Sequence, residues 1–405
     1  MSEDQFLNGR VRLLAGDCLQ RLGDLASESI DSCVTDPPYH FTSIVKRFGA
    51  DNAAPAKEGK TGAYKRASAG FMGKQWDGGD VAFQVKTWLA VWRVLKPGAH
   101  LIAFSGTRTY HRMACAIDDA GFEVRDQLAW LYGNGFPKSH NQKGEWEGWG
   151  TALKPAWEPC VLARKPLSEG AIAANVLRWG TGALNIDGCR VETMEEWSGR
   201  ELPDAKDGVC WGGTLNASSS SSHPLGRWPA NIIHDGSDKV VVAFPDTQSG
   251  YSDGTFAETY GDSGCAARFF YTAKADSDDR LGSKHPTVKP LDLMQYLVRL
   301  VTPPGGTVLD LFAGTGTTGE AAWREGFNAI LIEREAEYQE DIRRRMRLCL
   351  AGPNERQREA IKARGLTVDA GPLFGGDEKA RGGAGGFRSF RGRTIGPTGL
   401  RGRKS

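Results

Sequence analysis

Residues 307–319 read Thr-Val-Leu-Asp-Leu-Phe-Ala-Gly-Thr-Gly-Thr-Thr-Gly. The β-branched and aliphatic residues at the beginning predict a short buried strand that ends near Asp310. The spacing of Gly314, Gly316 and Gly319 is typical of the loop that joins a strand to a helix and binds a nucleotide-like cofactor. Glu333 ends the next apolar run, where an acid binds ribose hydroxyls in such folds. The stretch therefore predicts an α/β fold with a cofactor loop.

A second motif follows the apolar run at residues 29–35, near the beginning of the chain. It consists of Asp36, Pro37, Pro38 and Tyr39. The carboxylate, the rigid turn and the aromatic face are the groups needed to hold a flat base that carries an exocyclic amine. An ordinary turn after a strand is the alternative interpretation, because Asp before Pro is common in turns. The agreement of this motif with the glycine loop favours a base-binding site.

Together the two motifs resemble the amino-methyltransferases that modify adenine N6 or cytosine N4 in DNA. Their order, with the base motif before the cofactor loop, is similar to that of the beta class. The resemblance implies a Rossmann-like, S-adenosylmethionine-dependent methyltransferase fold of the α/β class. We expect a seven-stranded, mostly parallel sheet with an inserted target-recognition region.

The resemblance also implies an enzyme that methylates adenine N6 in double-stranded DNA by base flipping and direct transfer. Asp36 favours adenine, because members that act on cytosine N4 tend to carry Ser at this position. Cytosine-N4 methylation and a catalytically silent DNA-binding protein are the alternatives. The glycine loop would also suit a nicotinamide enzyme. Three features favour S-adenosylmethionine over a nicotinamide cofactor. These are the Asp-Leu-Phe-Ala sequence before the glycines, the pair Thr317 and Thr318, and the base motif.

Roles for single residues are carried over from the family. Asp36 and the Pro37 carbonyl would accept the protons of the target amine, and Tyr39 would stack on the flipped base. The segment at residues 284–290 resembles the motif that holds the methionine carboxylate. The residues expected to bind the cofactor are Asp17 at its adenine, Glu333 at its ribose, Asp310, Phe312, Gly314, Gly316, Thr317 and Thr318 around its methionine part, and Lys284, His285 and Thr287 at its carboxylate.

Composition and periodicity divide the 405 residues into four parts. We expect a catalytic half at 1–165, a loop-rich recognition insert at 166–283, a cofactor-binding half at 284–350 and a disordered Gly/Arg-rich tail at 351–405. Lys96-Pro97-Gly98 is expected to end a helix before the next strand. The seven predicted strands lie at residues 11–14, 29–35, 100–105, 127–132, 157–162, 307–311 and 328–333.

The net charge of +2 is nearly neutral, so basic DNA contacts must be local. Residues 40–75 and the tail are basic, whereas acids outnumber bases in the insert. We therefore expect phosphate contacts from the basic segments or from a second subunit. A homodimer interface is predicted around Trp88, Leu89 and Trp92, with core packing as the alternative. Whether a restriction endonuclease accompanies the protein is unknown from the sequence.

Several other kinds of site are disfavoured. Cys189, Cys210, His223 and His234 lack the spacing of metal-ligand pairs, so no metal site is expected. Cys160 follows a proline, as the nucleophile of cytosine-C5 enzymes does, but its apolar surroundings indicate a core residue. No apolar run is long enough for a membrane span, and we expect a cytoplasmic protein.

Overall fold

The computed structural model describes residues 3–39, 80–135, 139–192, 225–248, 263–273, 277–352, 354–356 and 358–359. Its strands are β1 (Glu3–Phe6), β2 (Val11–Ala15), β3 (Ile30–Thr35), β4 (Leu95–Phe104), β5 (Glu123–Leu131), β6 (Trp157–Arg164), β7 (Ile232–His234), β8 (Asp246–Gln248), β9 (Ser263–Cys265), β10 (Tyr271–Thr272), β11 (Thr307–Asp310) and β12 (Asn328–Glu333). Its α-helices are α1 (Cys18–Gly23), α2 (Val85–Val94), α3 (Tyr110–Asp119), α4 (Ile172–Trp179), α5 (Asp238–Val241), α6 (Leu291–Val301), α7 (Thr317–Arg324) and α8 (Ala336–Leu348).

Ten of the described strands form one sheet, in the order β1-β2-β12-β11-β3-β4-β6-β5-β7-β10. The central strands from β2 to β4 are parallel, and β6 is antiparallel to both β4 and β5. The seven strands from β2 to β5 in this order are those that the sequence predicts, so the predicted fold class is confirmed. β1 extends the sheet at one edge, and β7 and β10 extend it at the other.

Helices cover both faces of this sheet. Alternate residues of the central strands belong to two different hydrophobic clusters, as with Cys33 and Val34 in β3. Residues of α6, α7 and α8 form one cluster with the sheet, and residues of α1, α2 and α3 form the other. Burial on both faces explains why all six residues of β3 are buried, rather than alternate ones.

α2 ends at Val94, just before Lys96-Pro97-Gly98, as predicted, but this stretch lies within β4 and not ahead of it. β4 begins directly after α2, at Leu95, which pairs with Ile30. The register then shifts, because the next pair is Ser32 with His100. Gly98 adopts a positive φ of 81°, which glycine tolerates without strain. The residues between the two pairs therefore bulge from the strand rather than break it.

α2 contains the aromatic residues that were predicted at a dimer interface. Trp88 is fully buried, and its indole N–H donates to the carbonyl of Ala82 at 2.9 Å. Its assignment to an interface was therefore wrong, and it packs in the core. Trp92 is partly buried beneath the ammonium of Lys165, 3.9 Å from the ring centroid, whereas Leu89 is half exposed.

The segment at 166–283 contributes to the main sheet through β7 and β10, and β8 pairs with β9 separately. α4 is joined to the bulge of β4 because the fully buried Asn175 amide donates to the Pro97 carbonyl at 2.9 Å. Residues 40–79 and those beyond 359 lie outside the described residues, and so do Cys210 and His223. No helix in the described ranges has the length and apolar character needed to span a membrane.

Candidate active site

Four acidic residues lie at the carboxyl ends of adjacent parallel strands or directly beyond them. In sheet order they are Asp17 after β2, Glu333 in β12, Asp310 in β11 and Asp36 after β3. Neighbouring strands lie about 4.8 Å apart, so the row spans roughly 14 Å. The chain leaves in opposite directions from β11 and β3, and open α/β sheets bind ligands at such a switch point. The row therefore crosses the part of the sheet best suited to a long, narrow ligand.

Asp310 joins the two sides of the switch point. One carboxylate oxygen accepts from the Thr35 hydroxyl at 2.7 Å and from the Phe312 N–H at 3.1 Å, and the other accepts from Thr318 at 2.5 Å. Burial raises the pKa of Asp310 to about 6, although these hydrogen bonds lower it. A cation bound nearby would stabilise the charged form of this carboxylate.

The glycine loop follows Asp310 and leads into α7. Gly314 and Gly316 have φ values of 52° and 78°, which allow the tight turn before the helix. A Cβ at Gly319 would lie 2.7 Å from the Leu331 side chain, so glycine permits α7 to pack closely on β12. The hydroxyl of Thr317 is buried and lies 3.3 Å from that of Thr315. The Thr318 hydroxyl donates a hydrogen bond to Asp310. Both threonines that were predicted to bind the cofactor therefore also form contacts within the loop region.

Glu333 connects the glycine loop to the next turn. Its two carboxylate oxygens accept from the backbone N–H groups of Gly314 and Glu335, each at 2.8 Å. Burial raises its pKa to about 7, and the two backbone hydrogen bonds act in the opposite direction. Each oxygen keeps a second lone pair, which is suited to ribose hydroxyls.

Asp17 caps α1 beside Glu333. Its Oδ1 accepts from the N–H groups of Leu19 and Gln20 at 3.0 and 3.3 Å. The N–H of Gly16 donates to the Glu333 carbonyl at 2.9 Å. The Gly16-Asp17 turn therefore lies next to the predicted ribose position, where the resemblance assigns the cofactor adenine.

The segment at 284–290 lies against the glycine loop. His285 is buried, and a Cβ at Gly314 would lie 3.3 Å from its Nε2. Burial lowers the pKa of His285 to about 4, so the ring is neutral at pH 7. Its Nδ1 lies 2.6 Å from the Thr287 carbonyl oxygen, while the side chains of Lys284 and Thr287 are exposed. The structure brings His285 to the loop and leaves the other two at the surface nearby.

The base motif lies at the other end of the row. Asp36 is partly exposed, but its Oδ1 is buried and has no hydrogen-bond partner among the described residues. Pro37 is buried, and Pro38 and Tyr39 are partly buried. The carbonyl of Tyr39 accepts from the Thr109 hydroxyl at 3.0 Å, which fixes the end of the turn against α3.

Two residues that the sequence analysis did not assign complete this region. The ammonium of Lys289 lies 2.8 Å from Asp36 Oδ2 and 3.0 Å from Glu158 Oε2. The Tyr39 hydroxyl donates to the same Glu158 oxygen at 3.0 Å. Burial lowers the pKa of Lys289, but the charges of Asp36 and Glu158 outweigh it and raise the pKa above its ordinary value.

The phenol of Tyr39 is also affected by these charges. Burial, followed by the charges of Asp36 and Glu158, raises its pKa well above the ordinary value. The phenol therefore stays protonated and acts as a donor. Lys289 lies inside the segment that resembles the methionine-carboxylate motif. This position is the one feature of the sequence that pointed to Lys289 as a site residue. Glu158 precedes Pro159 at the beginning of β6 and carried no signal of its own.

Two predictions on other kinds of site concern cysteine and histidine. Cys160 is 2% exposed in the core of β6, which agrees with its interpretation as a core residue. Cys189 and His234 are also buried, and each lies near a backbone carbonyl. Within the described ranges, no group of three or more His, Cys, Asp or Glu residues could hold a metal ion.

A model of the DNA methylase family, the N6/N4 methyltransferases, matches residues 30–344. The chain belongs to this family. The match includes the base motif, the segment at 284–290, the glycine loop and Glu333. The chain is therefore a DNA methyltransferase, and the family covers both adenine-N6 and cytosine-N4 targets.

Two relatives from Haemophilus influenzae are type II methyltransferases. M.HindIII is 26% identical over 336 residues, which cover 76% of this chain and 85% of that protein. M.HinfI is 40% identical over 85 residues, which cover 21% of this chain and 24% of that protein.

Two solved structures are also similar to this chain. That of the complex of M1.HpyAVI with SAM gives a TM-score of 0.39 at 16% identity, covering 83% of this chain and 99% of that chain. That of the cytosine-N4-specific PvuII methyltransferase gives 0.43 at 14% identity, covering 89% and 96%.

Proposed function

We propose that this methyltransferase transfers a methyl group from S-adenosylmethionine to N6 of adenine in double-stranded DNA. The target base leaves the duplex, because its amine cannot be reached within the base stack. Transfer is direct, without a covalent bond to the protein. In this proposal the base motif holds the target base, and the acidic row holds the methyl donor.

The observation that carries this proposal is the buried Oδ1 of Asp36, which accepts no hydrogen bond from any residue in the described ranges. A buried carboxylate oxygen without a donor is costly, and an amine N–H of the target base would supply one. The adjacent Pro37 carbonyl is the second acceptor in the proposal. Tyr39 supplies the aromatic face on which the flipped base would stack.

The chemistry requires acceptors because the lone pair of adenine N6 is delocalised into the ring. Accepting hydrogen bonds from its N–H groups draws the nitrogen towards sp³ geometry and makes the lone pair available. S-adenosylmethionine supplies an electrophilic methyl group, and the electron pair of the carbon–sulfur bond stays on sulfur. N6 must lose one proton overall, and in this proposal Asp36 receives it.

The acidic row fits this cofactor. Asp310 and Glu333 are buried carboxylates whose raised pKa values show that the protein alone compensates their charges only in part. The sulfonium and ammonium groups of the methionine part would compensate Asp310, and ribose hydroxyls would donate hydrogen bonds to Glu333. Asp17 would hold the adenine, Glu333 the ribose, and Asp310 with the loop and His285 the methionine part.

The segment at 166–283 is proposed as the target-recognition region. β7 and β10 extend the sheet beyond β5, and the strand β6 next to β5 carries Glu158. The strands β7 and β10 of this segment therefore lie on the same side of the sheet as β6, beyond the proposed base site. A homodimer, in which a second subunit grips the DNA, remains part of the proposal.

The decisive experiment uses S-adenosylmethionine with a tritiated methyl group and long, unmethylated double-stranded DNA. The DNA is digested to nucleosides after the reaction and separated by chromatography. We expect the label in N6-methyldeoxyadenosine and none with Asp36→Ala. Label in N4-methyldeoxycytidine would overturn the adenine assignment. An absence of label, with cofactor binding intact by calorimetry, would identify a silent DNA-binding protein.

A further inference from the structure

Lys289 lies between two carboxylates at the proposed base site. Besides Asp36 and Glu158, its ammonium donates to the Tyr39 hydroxyl oxygen at 3.1 Å. An ammonium has three N–H donors, so these three contacts use all of them. The side chain is 7% exposed, and the ammonium lies 4.7 Å from the centroid of the Phe104 ring. Lys289 is therefore fixed in position and has no donor left for a ligand.

This arrangement makes the two oxygens of Asp36 different. Oδ2 accepts from Lys289 at 2.8 Å, while Oδ1 is buried without a partner in the described part of the chain. A carboxylate held at one oxygen has a restricted rotation. The free oxygen then points in one direction, towards which an amine proton can be presented.

Glu158 fixes the other two members of the group. Its Oε2 accepts from both Lys289 and Tyr39, so it joins the ammonium to the phenol. With Tyr39 neutral, two carboxylates and one ammonium leave one net negative charge. That charge suits an amine that becomes more positive as it gains a methyl group.

We propose that Lys289 and Glu158 are positioning residues for methyl transfer. Lys289 holds Asp36 so that Oδ1 faces the target amine, and Glu158 anchors Lys289 and the stacking ring of Tyr39. This inference rests on the proposed function in requiring an exocyclic amine as the target. It applies equally to adenine N6 and cytosine N4.

The pKa of Lys289 agrees with this role. Because Asp36 and Glu158 raise it above its ordinary value, the ammonium keeps its proton throughout the neutral range. Lys289 therefore donates hydrogen bonds and does not serve as the proton acceptor. The acceptor remains Asp36.

The test compares Lys289→Met, Glu158→Gln and the double variant with the full-length wild type. Lys86→Met is the matched control, because Lys86 is exposed on α2. Single-turnover methylation of unmethylated DNA gives the rate, calorimetry gives the affinity for S-adenosylmethionine, and urea denaturation gives the stability.

Lys289→Met should reduce the single-turnover rate by on the order of 10²-fold, as a small displacement of a reacting group does. Its cofactor affinity should stay within twofold of the wild type. The double variant should be no slower than Lys289→Met, because it also removes the carboxylate left without its counter-charge. Lys86→Met should match the wild type in all three measurements.

Three outcomes would overturn the inference. These are a wild-type rate for Lys289→Met, a wild-type rate for Glu158→Gln, or a loss of cofactor affinity as large as the loss of rate. Should Lys289→Met not fold, Glu158→Gln decides, because it keeps the size of the side chain but removes the negative charge that holds the Lys289 ammonium. A wild-type protein that labels neither base contradicts the proposed function instead, so the two failures are distinguishable.

Discussion

Replacing Glu333 by Gln should change how the stability of the cofactor-free protein depends on pH. Burial raises the pKa of Glu333 from 4.5 to about 7. Between these values the folded protein binds more protons than the unfolded chain. The free energy of unfolding therefore falls as pH rises through this window. Gln does not titrate, so this contribution is absent from Glu333→Gln.

The magnitude follows from the size of the shift. One pKa unit corresponds to about 1.4 kcal/mol, so the whole shift is worth roughly 3 kcal/mol. Between pH 5 and pH 8, the wild type should lose about 2–3 kcal/mol relative to Glu333→Gln. Other titrating groups, such as Asp310 and His285, are present in both proteins and largely cancel in the difference.

The substitution also has an effect that does not depend on pH. The Gln amide nitrogen would face the N–H of either Gly314 or Glu335, and two donors cannot pair. This mismatch costs about 1–3 kcal/mol at every pH. The test is therefore the pH dependence of the difference in stability and not its value at one pH.

Urea denaturation at pH 5, 6, 7 and 8 provides the measurement. Glu147→Gln is the control, because Glu147 is exposed and its substitution should leave the wild-type dependence unchanged. A difference between wild type and Glu333→Gln that stays constant across this range would refute the reasoning. It would mean that the carboxylate of Glu333 is already fully compensated without the cofactor.

Three further predictions concern catalysis, the fold and DNA binding. Asp36→Ala should abolish methylation and largely spare cofactor affinity measured by calorimetry, since Asp36 acts on the base amine; substantial residual turnover would contradict its role. Arg345→Met should destabilise the protein by about 3 kcal/mol in urea denaturation. The Arg345 side chain is 1% exposed, and its guanidinium donates hydrogen bonds to Glu320 at 2.8 Å and to the Thr315 carbonyl at 2.9 Å. A loss of stability below about 1 kcal/mol would contradict this prediction. The third variant neutralises four residues of the basic segment, Lys46, Arg47, Lys65 and Arg66. It should bind all DNA sequences more weakly to the same extent, and the slope of log affinity against log salt concentration should fall by about one unit per lost phosphate contact. An unchanged slope would indicate a solvated loop.

Most of the fold could be predicted because its signals are local. β12 carries the continuous apolar run at residues 329–332, and burial on both faces of a parallel sheet favours that pattern. The glycine loop was visible for a similar reason, since positive φ at Gly314 and Gly316 is a local demand. The bulge at Lys96-Pro97-Gly98 was missed because its pairing partners belong to another strand.

The sequence by itself determined the strands, the glycine loop and the acidic residue at each strand end. Only the tertiary structure decided which of these residues meet. Thr35 and Asp310 are bonded across 275 residues of sequence, and Lys289 and Asp36 across 253. Local periodicity specifies that a strand forms but not which strand lies beside it. The proposed base site depends on the sheet order, which places β3 next to β11 and β4, and on the segment before α6, which brings Lys289 to Asp36 at the end of β3.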